Sequence, residues 1–164
     1  ATIYLKNENY PAAIPYLEAI EAMDPTDMNT QVKLGLVYME TKKYEQAISV
    51  FNRLIVKNPD SDRIRFYLGS LYEEMKRGDE AVGEYRKVPA TSKLYTDAML
   101  HTANILKTQG KTAEAKLEIN TAISKAPQVP NFYIYLASLE EEANNLPASI
   151  QALERAYQHF PEEE

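Results

Sequence analysis

Cysteine is absent from this 164-residue chain, which excludes disulfides and thiolate metal sites together. Its absence suits a reducing cytoplasm and a bacterial periplasm alike, so both compartments stay compatible. Histidine occurs only twice, at His101 and His159, far apart in the chain, and forms no HExxH or Cys/His ligand spacing. There is no glycine-rich phosphate loop and no GxSxG, and no EF-hand loop frames the carboxylates Glu73, Glu74 and Glu140 to Glu142. These absences predict a chain that is not an enzyme and carries no cofactor or metal. No apolar run approaches the roughly 18 residues of a membrane span, and the opening "ATIYLKNENY" has no signal-peptide layout, so no membrane insertion is expected. Excess positive charge is also missing. A net charge of −6 argues against nucleic acid as a partner.

Glycine is scarce too, 5 residues against 9 prolines, and no Val/Ile/Thr alternation of strand type occurs. Strong helix formers fill the stretches between short Gly, Asn or Pro breaks. The composition, 45% hydrophobic, predicts an all-α fold with an ample core. Two of the rare glycines stand where they are least expected. Gly69 lies in "YLGSLYEEMKRGDEAVGEY", among Leu68, Leu71, Tyr72 and Met75 at helical spacing, where glycine costs about 1 kcal/mol relative to alanine. Gly35 holds the matching place earlier in the chain, in "KLGLVYMETKKYEQAISVF". A residue poor for its own helix, repeated at a fixed interval, marks a place where another helix comes close.

The interval extends along the chain. Pro25 and Pro59 are separated by it, as are Pro127 and Pro161, while Pro59 and Pro127 stand two intervals apart. This 34-residue ruler aligns Leu34, Leu68, Thr102 and Leu136, and after them the small residues Gly35, Gly69, Ala103 and Ala137. Three residues on come Tyr38, Tyr72, Leu106 and, out of character, Glu140. A later column holds Ala13, Ala47, Ala81, Ala115 and Ser149; four residues beyond it stand Leu17, Phe51, Tyr85, Ile119 and Leu153. Each unit therefore reads as two helices of about 12 to 15 residues joined by a short turn such as "KRGD" or "TQGK". Small residues on both helices let the backbones approach, with Gly35 and Gly69 expected near Ala47 and Ala81.

Prolines and caps set the boundaries. Asp60, Ser61 or Asp62 offers an N-cap for the helix after Pro59. Pro11, Pro130 and Pro147 sit near helix starts, where the missing N–H costs little, while Pro15 is expected to bend or delay its helix. The unit beginning at Asp62 has Lys93 where the closing proline belongs and carries Pro89 one turn early. A shortened second helix follows, weakened by Gly83, then a helix that starts early near Ser92; a joint is expected between Gly83 and Ser92. Glu140 predicts loosened packing in the last unit.

These columns resemble the tetratricopeptide repeat (TPR) family, a 34-residue helix–turn–helix with small and large residues in this order. The resemblance covers the whole chain as one solenoid: a partial repeat at 1–27 and repeats at 28–61, 62–95, 96–129 and 130–163. It implies a right-handed superhelical solenoid of antiparallel helix pairs. The chain starts inside a unit and stops just after a closing proline, so a segment of a longer protein is expected.

In the family, as the resemblance implies, the concave face is lined by the first helix of each unit and holds a peptide or helix of a partner. By spacing, that face carries Val32, Lys33 and Leu36, then Arg63, Phe66, Tyr67 and Ser70, then Leu100, His101 and Asn104, and finally Ile134 and Tyr135. Val32, Phe66, Leu100 and Ile134 form an apolar stripe, suited either to anchoring a partner or to packing adjacent first helices, and one residue can do both. The lysine, asparagine and arginine set by which some TPR domains clamp a terminal carboxylate is missing, so no chaperone-type clamp is expected. The expected function is a non-catalytic protein–protein interaction scaffold for a protein or peptide, with self-association left open. The alternative is an architectural or regulatory arm of a larger enzyme or bacterial envelope assembly.

Overall fold

The computed structural model describes residues 9–160. Among these there are nine α-helices and no strand. In order they are α1 (Tyr10–Met23), α2 (Met28–Glu40), α3 (Tyr44–Lys57), α4 (Asp62–Glu74), α5 (Gly78–Tyr85), α6 (Tyr95–Thr108), α7 (Thr112–Lys125), α8 (Pro130–Glu142) and α9 (Leu146–His159). The breaks keep phase with the 34-residue ruler except the one after α5, which opens early because that helix ends at Tyr85. The closing "EEE" and the leading partial helix expected before Tyr10 lie outside the described residues. Pro15 does not delay α1, which runs through it with the ring exposed to solvent.

The chain divides into two compact units, Ala1–Arg77 and Gly78–Glu164. The division falls in the "KRGD" turn, ahead of the Gly83–Ser92 stretch where the sequence predicted a joint.

In the N-terminal unit, α1 packs on α2, α2 on α3 and α3 on α4. Leu17, Leu34, Phe51, Leu54, Ile64, Leu68 and Leu71 make up its fully buried centre. Burial of a phenylalanine such as Phe51 contributes about 1.5–3 kcal/mol. Gly35 faces this ring: a Cβ built on Gly35 would stand 2.7 Å from Cε1 and Cζ of Phe51. The expected neighbour was Ala47, one turn earlier on α3. The glycine makes room for an aromatic ring, and the alanine is not among its nearest contacts. Side chains cap the helices after the closing prolines. Asp27 accepts the Asn29 and Thr30 N–H groups at 2.9 and 3.3 Å, and Ser61 accepts the Ile64 N–H. Hydrogen bonds from Thr30 hold the Asp27 carboxyl below its ordinary pKa.

In the C-terminal unit, α5 is 8 residues long where other second helices have 14. Pro89 accounts for the early stop, since it disfavours helical geometry at Val88 and has no N–H to donate. Val88 stays buried, its N–H on the Tyr85 carbonyl at 3.0 Å. Ser92 accepts the Leu94 N–H, but α6 starts at Tyr95 and no side chain caps it. Gly78 opens α5 under contact: its Cβ would lie 2.6 Å from Gln109 Nε2 and 2.8 Å from Ile105 Cγ2. Tyr85, Phe132 and Tyr133 are the largest fully buried side chains here, and Tyr133 donates its hydroxyl to the Pro127 carbonyl at 3.1 Å.

The turn inside each repeat recurs too. Lys42, Lys76, Gly110 and Asn144, each one period after the last, have φ of 58, 60, 75 and 57°. In each case the following N–H (Lys43, Arg77, Lys111, Asn145) bonds back to a carbonyl five residues earlier (Tyr38, Tyr72, Leu106, Glu140) at 2.8 to 2.9 Å. This is a Schellman termination, which satisfies the last carbonyls of the first helix and reverses the chain.

Glu140 is not a site of loosened packing. Its carboxylate meets Lys116 Nζ of α7 at 2.6 Å and Asn145 Nδ2 at 3.1 Å, and both charged side chains are largely buried. The ruler explains the pairing: Ile14 stands to Tyr38 as Ile48 to Tyr72, Val82 to Leu106 and Lys116 to Glu140. In these columns the first three positions hold aliphatic residues against tyrosine or leucine, Tyr38 also donating its hydroxyl to Glu18 at 2.6 Å, and the fourth is an ion pair.

Candidate functional site

In the N-terminal unit the candidate residues come from α2 and α4. Val32 is 7% exposed and belongs to the core, whereas Lys33 is exposed and Leu36 half-buried. Lys33 and Leu36 border a cavity of about 260 Å³ whose other walls are Tyr10, Val37 and Glu40. Spacing from α2 alone missed Tyr10, which enters from the preceding helix. Glu40 was visible as the residue one further turn along from Leu36 on the same face. On α4, Phe66, Tyr67 and Ser70 are half-buried and Arg63 is exposed. Tyr67 lies against Phe51 of α3 with ring centroids 5.7 Å apart. Arg63 lies over the outer side of the tyrosine, its guanidinium 5.4 Å from the ring centroid and its Nε donating to the hydroxyl at 2.9 Å. Tyr67 thus contacts both a buried ring and a cation.

In the C-terminal unit the candidates come from α6 and α8, which pack against each other. His101 is exposed and stacks on Tyr85 of α5 at 5.3 Å with an interplanar angle of 21°. It stands one period after Tyr67, as Tyr85 does after Phe51, so a ring pair from the same two columns occurs once in each unit, tilted by 30° in the first and stacked in the second. Asn104 is exposed one turn further on and has no hydrogen-bond partner among the described residues. Leu100 is half-buried and Ile134 is 58% exposed. Tyr135 is half-buried with its hydroxyl wholly covered and unpartnered among the described residues. Burial pushes its phenol pKa up; Lys107 opposes that rise and Glu142 adds to it. Those two bridge α6 and α8 at 2.5 Å, and the bond raises the lysine's own pKa.

The apolar stripe thus emerges gradually, buried at Val32, half-buried at Phe66 and Leu100, and open at Ile134. The neighbouring column of Lys33, Tyr67, His101 and Tyr135 is the one that stays at the surface or just beneath it. Among the described residues there is no cluster of His, Asp or Glu able to hold a metal ion. No helix there is long and apolar enough to cross a membrane.

Helix hairpins in 34-residue phase, closed by a Schellman turn and packed small against large, define a class of helical-repeat protein. Two family models, each described as tetratricopeptide repeat, match residues 4–65 and 100–164, together more than half of the chain. The chain belongs to the TPR family, and its fold is the all-α, TPR-like solenoid. The unmatched stretch between the two contains the shortened α5 and Pro89. No curated protein matches the sequence. Among solved structures, a crystal structure of MamA is similar with a TM-score of 0.74 and 19% identity, covering 98% of this chain and 94% of the other. MamA from Desulfovibrio magneticus RS-1 gives 0.71 and 12% identity, over 99% and 92%. A Pseudomonas aeruginosa structure titled for pilF gives 0.68 and 18% identity, over 95% and 71%. At these identities the likeness is one of fold. TPR proteins are typically non-catalytic scaffolds for protein–protein interaction.

Proposed function

We propose that this chain is a non-catalytic scaffold that grips an extended peptide or a helix of a partner protein on the exposed faces of its first helices. The observation that carries the reading is the recurrent ring pair, Tyr67 tilted against Phe51 and His101 stacked on Tyr85. In both, a planar polar-tipped side chain is immobilised on a buried ring. A side chain ordered in advance loses little entropy when a partner covers it. Around these platforms stand groups suited to a peptide: Arg63 and Lys33 for carboxylates, and Asn104, whose amide both donates and accepts. Phe66, Leu100 and Ile134 supply apolar anchoring, Leu36 and Val32 support it from α2, and Ser70 and Tyr135 complete the set.

The test is a Phe66→Ala/Asn104→Ala double variant, used as bait beside the unaltered chain. The variant should keep its helical circular dichroism and a cooperative melt while losing the partner identified by mass spectrometry with the unaltered chain. Truncation of central interface aromatics typically costs about 2 kcal/mol or more, roughly a thirtyfold loss of affinity. Retained binding by a folded double variant would move the recognition surface off these helices.

A further inference from the structure

The two ring pairs of the recognition surface rest on different supports. Phe51 lies midway along α3, which continues to Lys57. Tyr85 is the last residue of α5, a helix of 8 residues, and the chain beyond it enters the turns before α6. A helix so short has little stability of its own. Whatever fixes the chain just after Tyr85 therefore also fixes the seat of His101.

Elsewhere the stretch between two repeats is pinned by a bond to its closing proline. Gln31 Nε2 donates to the Pro25 carbonyl at 3.2 Å, Arg65 Nη2 to that of Pro59 at 3.1 Å, and the Tyr133 hydroxyl to that of Pro127 at 3.1 Å. An amide, a guanidinium and a phenol make the same bond from one column, each to the carbonyl six residues before it. After α5 the two columns hold Lys93 and Met99, and a methionine side chain has no proton to donate. This joint is tied at its other end. Arg86, next to Tyr85, donates from Nε and Nη2 to Oε2 of Glu118 on α7 at 2.9 and 2.6 Å. The Glu118 side chain is 14% exposed and that of Arg86 47%, so the carboxylate is mostly withdrawn from water and relies on the arginine.

We propose that Arg86 and Glu118 are positioning residues for the His101 platform: their bridge holds the end of α5 so that Tyr85 stays beneath the imidazole. The inference rests on the recognition role given to His101 above. On that reading, breaking the bridge weakens partner binding from outside the recognition surface. The N-terminal ring pair has no such dependence. Arg53 of α3 also bridges back to α1, meeting Glu21 at 2.6 Å, but there the helix itself carries Phe51.

Arg86→Met keeps the side chain long and removes its charge. The amides of Arg86, Lys87 and Val88, bonded to the Val82, Glu84 and Tyr85 carbonyls, should then exchange about tenfold faster, with circular dichroism unchanged. In the same variant the His101 ring protons should lose about half of their ring-current shift, while those of His159 stay in place. Arg86→Lys, which keeps the charge, should recover most of both signals. Arg53→Met should leave amide exchange around Phe51 within about twofold of the unaltered chain. Unchanged exchange and His101 shifts in Arg86→Met, no recovery in Arg86→Lys, or equal loosening around Phe51 in Arg53→Met overturns the proposal. For the partner captured by the unaltered chain, Arg86→Met should weaken binding about fivefold, because the platform is no longer ordered in advance. Unaltered affinity beside a loosened platform would uphold the tie and overturn the recognition role of His101.

Discussion

The two units solve the same turn with different residues. In the N-terminal unit Lys42 and Lys76 hold the left-handed position, and in the C-terminal unit Gly110 and Asn144 hold it. Glycine enters that conformation without strain and asparagine with little, whereas lysine does so at a cost of about 1–2 kcal/mol. The φ values nonetheless agree closely, from 57 to 75°. The shared φ therefore follows the common Schellman termination and not the residue type. The units diverge again at their contacts. The N-terminal unit has Ile14 and Ile48 in the column where the C-terminal unit ends on Lys116, and is capped by Asp27 and Ser61; the C-terminal unit accepts a short helix, starts α6, α7 and α8 without side-chain caps, and uses a largely buried ion pair at its last interface.

The largest expected effect lies at the tightest point of the N-terminal unit. Gly35→Leu should destabilise by about 3 kcal/mol in urea unfolding, because Phe51 is fully enclosed and cannot yield to an overpacked neighbour. A neutral result would mean that close approach is not why glycine stands there. Next comes the ion pair that marks the C-terminal unit. Lys116→Leu alone should cost about 2 kcal/mol, less than a fully buried pair because some water still reaches both groups. The double variant Lys116→Leu/Glu140→Leu should return to within about 1 kcal/mol of the unaltered chain, matching the apolar pairs elsewhere. If the single change is as mild as the double, the interface does not depend on the pair.

The turn comparison can be inverted directly. Gly110→Lys should lose about 1 kcal/mol, and Lys42→Gly should gain a few tenths, part of the relief being offset by the freer unfolded chain. Equal melting points for Gly110→Lys and the unaltered chain would show that the left-handed position carries no strain. The smallest effect is at Gly83 of α5, where a Cβ would meet nothing within 4 Å. Gly83→Ala should therefore stabilise by about 0.5–1 kcal/mol, the reverse of Gly35. Hydrogen exchange of the α5 amides would report the gain.

Periodicity carried most of the fold. Nine helices, their breaks and the shortened α5 were legible because apolar spacing, proline and glycine each act locally. What escaped was what depends on pairs of helices. The ring of Phe51, one turn beyond the expected Ala47, stands nearest Gly35, a detail that depends on how α2 and α3 meet and that neither helix encodes alone. Glu140 looked like a defect when read down its own column, and only the column of Lys116 explains it. The glycine of "KRGD" drew attention to the turn, yet Lys76 makes the turn and Gly78 serves the contact with Ile105 and Gln109. For the candidate surface, exposure of Lys33, His101 and Asn104 followed from spacing. The stacking of His101 on Tyr85, and the covered hydroxyl of Tyr135, did not.

The Lys116–Glu140 bridge also acts as an address label. Repeats of one period whose contacts were all apolar would be interchangeable in principle, since any second helix could accept any first helix. Placed after α3, the hairpin of α8 and α9 would set Glu140 against Ile48 with no cation to meet it; placed after α7, α4 would leave Lys116 facing Tyr72. Each misplacement strands a largely buried charge, a penalty that discriminates against the wrong neighbour more than the bridge strengthens the right one. The bridge thus writes a preference for one neighbour into this joint, as Glu18 does at the first joint by accepting from the Tyr38 hydroxyl.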